Sequence, residues 1–327
     1  MLTNTKIPVS IQGVSFLFCF LTVLSAIAFG CASKRTPTAE ETFITAREHF
    51  DRGAYELAIE AYKELLDQHP FTEHSGEAET KIAQAYYLMG RYPEAIAAFG
   101  DFERMHPTSP LVPLVNYYLG MSYLRQMRPM DRDQDASGNA QAYFRAVIDR
   151  YPRTPWAERA RLRLRECEEA LAAHELYIAE FYLRQDNLPA AEARFRQLLK
   201  AYANTDAAGR ALHLFGEEYL DRDREELAEL SFLALITHHR NDPLAHRAST
   251  RLAHLTRSSR VSGNAAALDP RELLIIRLAE RPTTTDEPEK DPVAPQGQDE
   301  PSSKPRDAGL PLADGPAEPA QLAPSRH

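Results

Sequence analysis

The chain has 327 residues, 23 of them proline, and a formal net charge of −9 at pH 7. That acidic balance excludes phosphate-backbone binding as a main activity, because it needs a basic surplus, so nucleic acid is not an expected partner. With three cysteines in all (Cys19, Cys31 and Cys167), the chain has no disulfide framework to hold a small core together.

The N-terminus comes first. No charge occurs from Ile7 to Gly30, and VSFLFCFLTVLSAIAF is an apolar run close to the length of a secretory h-region. Ser25, Ala26, Ala28 and Gly30 crowd its end, directly before Cys31. Ala28-Phe29-Gly30-Cys31 resembles a bacterial lipobox. Gly30 and Cys31 fit that pattern, and Ala28 and Phe29 are poorer matches. A retained membrane helix needs about 20 apolar residues and is one competing reading. A plain signal peptide beside a free thiol is another. The terminal position, the small residues and the junction cysteine favour cleavage after residue 30 and lipidation of Cys31, with 31–38 as a linker. Stable anchoring then takes more than one acyl chain. Cleavage removes Lys6 and Cys19, which makes the mature chain one charge more negative and leaves Cys167 without a disulfide partner. Residue 32 is Ala; in bacterial lipoproteins Asp at that place resembles an inner-membrane retention signal, so the outer membrane is the expected location.

Next comes a repeat. GAYELAIEAYKELLDQHP aligns with GRYPEAIAAFGDFERMHP at a constant offset of 37. Gly53 matches Gly90, Ala58 matches Ala95, Tyr62 matches Phe99 and Pro70 matches Pro107. The pattern Gly-x-Tyr-x-x-Ala-(Ile/Leu)-x-x-aromatic…Pro is that of a tetratricopeptide repeat, whose usual period is about 34. The glycine permits the turn between antiparallel helices. The alanine allows close approach, the aromatic fills the gap, and the proline ends the unit. A third copy pairs VNYYLGMSYL with AQAYFRAVIDRYP across the insertion RQMRPMDRDQDASGN. A fourth and a fifth carry Ala191/Phe195 and Ala228/Phe232, with Asp186 in place of the turn glycine. The expected fold is all-α, a superhelix of about five helical hairpins: repeats 1–3 over 39–153 and repeats 4–5 over 154–258.

PWAERARLRLRECEEALAAHELYIAEFYLRQ, from Pro155, has no internal breaker and reads as one helix of about 45 Å joining repeats three and four. Cys167 lies on it as a small packing residue. Residues 259–281 read as a linker with a short helix at PRELLIIRLAE, whose leucines and isoleucines form an apolar stripe. The stretch 282–327 holds ten of the 23 prolines and no aromatic, so it reads as a disordered tail.

Catalytic patterns are missing: there is no Walker loop, G-x-S-x-G, H-E-x-x-H or C-x-x-C. His238, His239 and His246 lack a regular ligand spacing and read as solvated helix-end histidines. No enzyme activity, cofactor or metal is expected.

The lipobox, the repeats, DRDQ in the insertion, the YP-x-T turn followed by Trp156 and the segment ELYIAEFY together resemble the BamD-type outer-membrane assembly lipoproteins, over about residues 36–240. The resemblance implies a lipid-anchored, periplasm-facing scaffold and substrate receptor of the β-barrel assembly machine. Its implied partners are the barrel insertase (BamA-like), accessory lipoproteins and unfolded outer-membrane proteins. The C-terminal repeats would bind the insertase, and the N-terminal repeats would take a targeting segment of the substrate. A periplasmic repeat scaffold for envelope or division proteins is the alternative.

In such repeats the first helix of each hairpin lines a concave groove. The groove-facing set is Phe43, Arg47 and Phe50, then Thr80, Gln84 and Tyr87, then Tyr117, Met121 and Leu124. Packing of Phe43 and Phe50 on neighbouring helices is an equal alternative to substrate contact. On repeats four and five Glu180, Arg184, Arg210, His213 and Glu217 offer a charged docking face.

Overall fold

The computed structural model describes residues 37–258 and 269–280; Cys31, the leader and the tail lie outside the described residues. Twelve α-helices, and no strand, are found among the described residues. Five antiparallel hairpins follow one another. They are α1 (Ala39–Asp51) with α2 (Tyr55–Gln68), α3 (Ser75–Leu88) with α4 (Tyr92–Met105), and α5 (Val112–Leu124) with α6 (Asp135–Arg150). Then come α7 (Pro155–Arg184) with α8 (Leu188–Ala201), and α9 (Asp206–Asp221) with α10 (Glu225–His238). Helix α11 (Pro243–Ser258) packs on α10 and α9, and α12 (Pro270–Ala279) packs on α10 and α8. The tetratricopeptide superhelix expected from the repeat is the fold of the chain.

The repeated residues explain the packing. Ala58, Ala95, Ala140, Ala191 and Ala228 are fully buried, and so are the aromatics four positions on, Tyr62, Phe99, Phe144, Phe195 and Phe232. Each ring fills the space that its alanine leaves between two helices. The turns obey the same logic. Gly53 and Gly90 sit at φ +76° and +75°, where a side chain is strained. Asp186 and Asp223 hold the corresponding left-handed positions at φ 54° and 56°. Aspartate tolerates that conformation better than most residues, so the turn survives the loss of glycine.

Helix starts are marked locally. Thr38 and Glu41 form a reciprocal capping box on α1. Asn187 and Thr205 cap α8 and α9 through their side chains. Proline occupies the first turn of α4, α5, α7, α8 and α12.

Helix α7 runs 30 residues without a break, as the sequence predicts. Its first half, ending at Cys167, belongs to the core built with α5 and α6. Its second half, from Ala172, belongs to the core that runs through α8, α9, α10 and α12. One rigid rod therefore carries both cores. Buried Cys167 is a free thiol, and burial pushes its pKa up to about 12.

Candidate functional site

The nine groove residues divide by burial. Phe43, Thr80, Gln84, Tyr117 and Met121 are buried between helices. Phe43 stacks on His74 at 4.2 Å, and Tyr117 tilts against Trp156 at 5.3 Å. They pack inside the repeats. Arg47 is exposed, while Phe50, Tyr87 and Leu124 are half-buried.

Two cations that sequence reasoning did not nominate accompany these residues. Lys81 Nζ lies 4.4 Å from the centroid of the Phe50 ring, a cation–π contact. Burial lowers its pKa, and Glu77 and Asp51 oppose that shift. Arg125 Nε donates to Tyr87 Oη at 3.4 Å. Each stands one residue past a nominated position, Thr80 and Leu124, so the signal was a small rotation of the helix face. Lys81 with Phe50, and Arg125 with Tyr87, thus form two cation–aromatic pairs on the first helices of repeats one to three, among the positions expected to face a groove. Chemically such pairs can hold an extended apolar or aromatic segment and attract a carboxylate.

The docking set on the later repeats lies on α7 and α9. Glu180 and Arg184 approach to 4.0 Å along α7. Arg210 reaches back to Glu169 of α7 at 3.3 Å. His213 and Glu217 are 3.8 Å apart, and Glu217 also takes Arg251 of α11 at 2.9 Å. The structure therefore ties His213 and Glu217 into one cluster and leaves the Glu180–Arg184 pair separate. Arg210 borders an open depression of about 540 Å³ at the start of α9 and α11, lined also by Asp206, His239 and Asp242.

The histidines do not converge. His238 Nε2 bonds Asp269 at 2.8 Å, and His239 Nε2 donates to the Ala203 carbonyl at 3.1 Å. Burial lowers the pKa of His239. Among the described residues no group of three or more His, Cys, Asp or Glu side chains is arranged to hold a metal ion.

DRDQ has a visible job. Gln134 Nε2 donates to the carbonyls of Pro129 and Arg132 at 2.9 and 3.0 Å, and its Oε1 accepts from Ser137 at 2.8 Å. Asp133 accepts from the Asp135 amide at 2.8 Å. The motif folds the α5–α6 connection into a fixed loop, which meets α7 where His174 Nδ1 donates to the Met130 carbonyl.

A model of the YfiO family, described as an outer membrane lipoprotein, matches residues 35–232. The chain belongs to the YfiO family. The matched region runs from before α1 into α10, so it contains both the groove and the α7–α9 docking set. Among the relatives of this YfiO-family chain, the outer membrane protein assembly factor BamD of Caulobacter vibrioides is 31% identical over 206 residues, 61% of this chain and 68% of the relative. Its counterpart in Vibrio cholerae is 29% identical, with coverages of 59% and 86%. The counterpart in Neisseria gonorrhoeae is 26% identical, with coverages of 58% and 75%. Solved structures similar to the chain include a thermophilic tetratricopeptide-repeat protein of Thermus thermophilus, at TM-score 0.30 and 16% identity, covering 67% of this chain and 100% of that one. Another is the TPR2AB domain of yeast Sti1 in its pHSP90 complex, at TM-score 0.35 and 13% identity, with coverages of 74% and 98%. Among the described residues no helix is long and apolar enough to cross a membrane.

Proposed function

We propose that this chain is a scaffold and substrate receptor of outer-membrane β-barrel assembly, anchored through a lipidated Cys31 on the periplasmic face. The observation that carries this reading is the extent of the family match, residues 35–232, which takes in both candidate binding faces. The relatives named as assembly factors align over most of their own length. On this reading the groove of Arg47, Phe50, Lys81, Tyr87, Leu124 and Arg125 receives an extended segment of an unfolded barrel protein that ends in an aromatic residue. Its terminal carboxylate meets the cations, and its ring stacks among the aromatics. The C-terminal repeats bind the periplasmic domains of the barrel insertase and its accessory lipoproteins through Glu180, Arg184, Arg210, His213 and Glu217. The protein works by binding, not by chemical catalysis, because helical hairpins of this kind supply surface and preorganisation.

The test is binding of a synthetic segment from the C-terminus of a barrel protein to the full chain. Arg47→Glu with Lys81→Glu should abolish binding while circular dichroism stays unchanged. Unaltered binding by a folded double variant sinks the groove assignment.

A further inference from the structure

Helix α11 ends the run of hairpins with one side uncovered. In each earlier repeat the first helix is backed by the second helix of its own hairpin. The next helix described after α11 is α12, and it packs on α8 and α10 instead. Ala245 and Ala248 of α11 are buried, and Leu244 and Leu255 pack against the core of the C-terminal repeats. The opposite side is exposed and carries His246, Arg247, Thr250, Arg251 and His254. Their spacing puts them on successive turns of one helix face.

That face is basic throughout. Helix α11 has no acidic residue from Pro243 to Ser258, in a chain whose net charge is −9. Arg251 pairs with Glu217 of α9 at 2.9 Å and stays more than half exposed. Among the described residues His246, Arg247 and His254 have no carboxylate within ion-pair distance. The complementary charge is in this same chain. Residues 282–327 hold nine Asp and Glu against four Lys and Arg, and four of the nine fall together at Asp286, Glu287, Glu289 and Asp291.

The acidic run also departs from the right place. Arg277, near the end of α12, pairs with Glu226 at the start of α10 at 3.1 Å. Helix α11 follows α10 through the short connection 239–242 and runs back along it, so it too ends beside the start of α10. From Ala279 to Asp286 the chain spans at most about 25 Å. Two helices packed on a common third helix lie within about 20 Å of each other. The run therefore reaches the end of α11, and it is long enough to cover the rise from His254 to His246, about 12 Å.

We propose that the basic face of α11 is the docking site of this chain's own acidic segment, Asp286–Asp291, and that their contact covers the open end of the superhelix. None of this depends on the assembly reading. Ion pairs at a surface are individually weak, so a free acidic peptide would hold poorly there. The covalent link to α12 makes the contact intramolecular and keeps the local concentration of the segment high. An acidic partner that approaches α11 then has to displace the segment first.

The test follows carbethoxylation of individual histidines in the full chain by mass spectrometry. The comparison is a variant in which Asp286→Asn, Glu287→Gln, Glu289→Gln and Asp291→Asn neutralise the segment and touch no helix of the superhelix. At low salt His246 and His254 should react about three-fold faster or more in the variant, because the segment no longer shields them. His106, on the α4–α5 connection, should react at the same rate in both proteins. At about 0.5 M salt, where charges are screened beyond about 4 Å, the difference should vanish. Equal rates for His246 and His254 at low salt overturn the proposal, whether fast, which means a solvated face, or slow, which means another occupant. A difference that survives salt also overturns it, because charge then does not hold the segment. Arg247→Gln with Arg251→Gln, in a chain with its native segment, should speed His254 in the same way, and an unchanged rate there counts against the proposal.

Discussion

The ring of Phe232 lies directly against the α-carbon of Gly216. A methyl group added there would stand 2.5 Å from ring atom Cε1 and 2.7 Å from Cζ. Gly120 stands in the same relation to Phe144, at 2.7 Å. These glycines permit the closest contact between the two helices of their hairpins.

Gly216→Ala should therefore destabilise the chain by about 1–3 kcal/mol through overpacking, despite the better helix propensity of alanine. Gly138, in α6, has nothing within 4 Å of the position a Cβ would take. Gly138→Ala should raise stability by about 0.5–1 kcal/mol. Urea unfolding of the two variants checks both signs.

The hairpin turns make an opposite pair. Asp223 is held at φ 56° and is exposed, so Asp223→Gly should relieve strain and stabilise by about 0.5–1 kcal/mol. Gly90→Ala, at φ +75°, should cost about 1 kcal/mol. Shifts in melting temperature of opposite sign are the expected result.

Cys167 should be inert in the folded chain. Its thiol is buried and its pKa stands at about 12, so almost none is thiolate at pH 8. A thiol reagent at pH 8 should modify Cys167 only at the rate of unfolding. Immediate stoichiometric reaction contradicts the packing described for α7.

Docking of α12 should depend on acid. Burial on its own would raise the Asp269 carboxyl pKa. Hydrogen bonds from His238 and the Arg271 amide outweigh it and hold the carboxyl below the usual aspartate range. A carboxylate depressed on folding contributes stability that is present above its unfolded pKa and lost as pH falls through the folded one. Hydrogen-exchange protection in α12 should therefore decline as pH falls below about 4 from its plateau just above. Asp269→Asn should lower the plateau and remove that decline.

Buried and exposed members of the expected groove set should separate by mutation. Phe43→Ala removes a buried ring stacked on His74 and should cost about 3–5 kcal/mol of stability. Exposed Arg47→Ala should change stability by no more than about 0.5 kcal/mol and weaken segment binding. Loss of stability without loss of binding in the first, and the reverse in the second, can be read from one unfolding curve and one titration each.

The hairpins were legible because an alanine followed four positions on by an aromatic recurs in every one, at an offset of 37 between hairpins one and two and again between four and five. The long helix was legible because nothing between Pro155 and Arg184 breaks it. Side-chain accessibility within the groove was not. Thr80 and Gln84 are polar, and the repeat pattern puts them on the concave face, yet both are buried. Lys81 was overlooked because its value comes from Phe50, a residue on another helix two elements earlier. Contacts across helices were equally invisible. Glu169 of α7 accepts from the Asp206 and Ala207 amides at 2.8 and 3.0 Å, capping α9 from another helix, and no local motif signals a cap supplied at that distance in sequence. The apolar stripe of PRELLIIRLAE was visible, but the surface that covers it, α8 with α10, is set by tertiary structure.

The assembly role is best tested by extracting the protein from membranes in mild detergent, capturing it, and identifying its partners and its N-terminus by mass. The expected result is an outer-membrane barrel protein with repeated periplasmic domains, recovered together with an acylated Cys31. Recovery of division or peptidoglycan proteins instead, with Cys31 unmodified, would contradict that role.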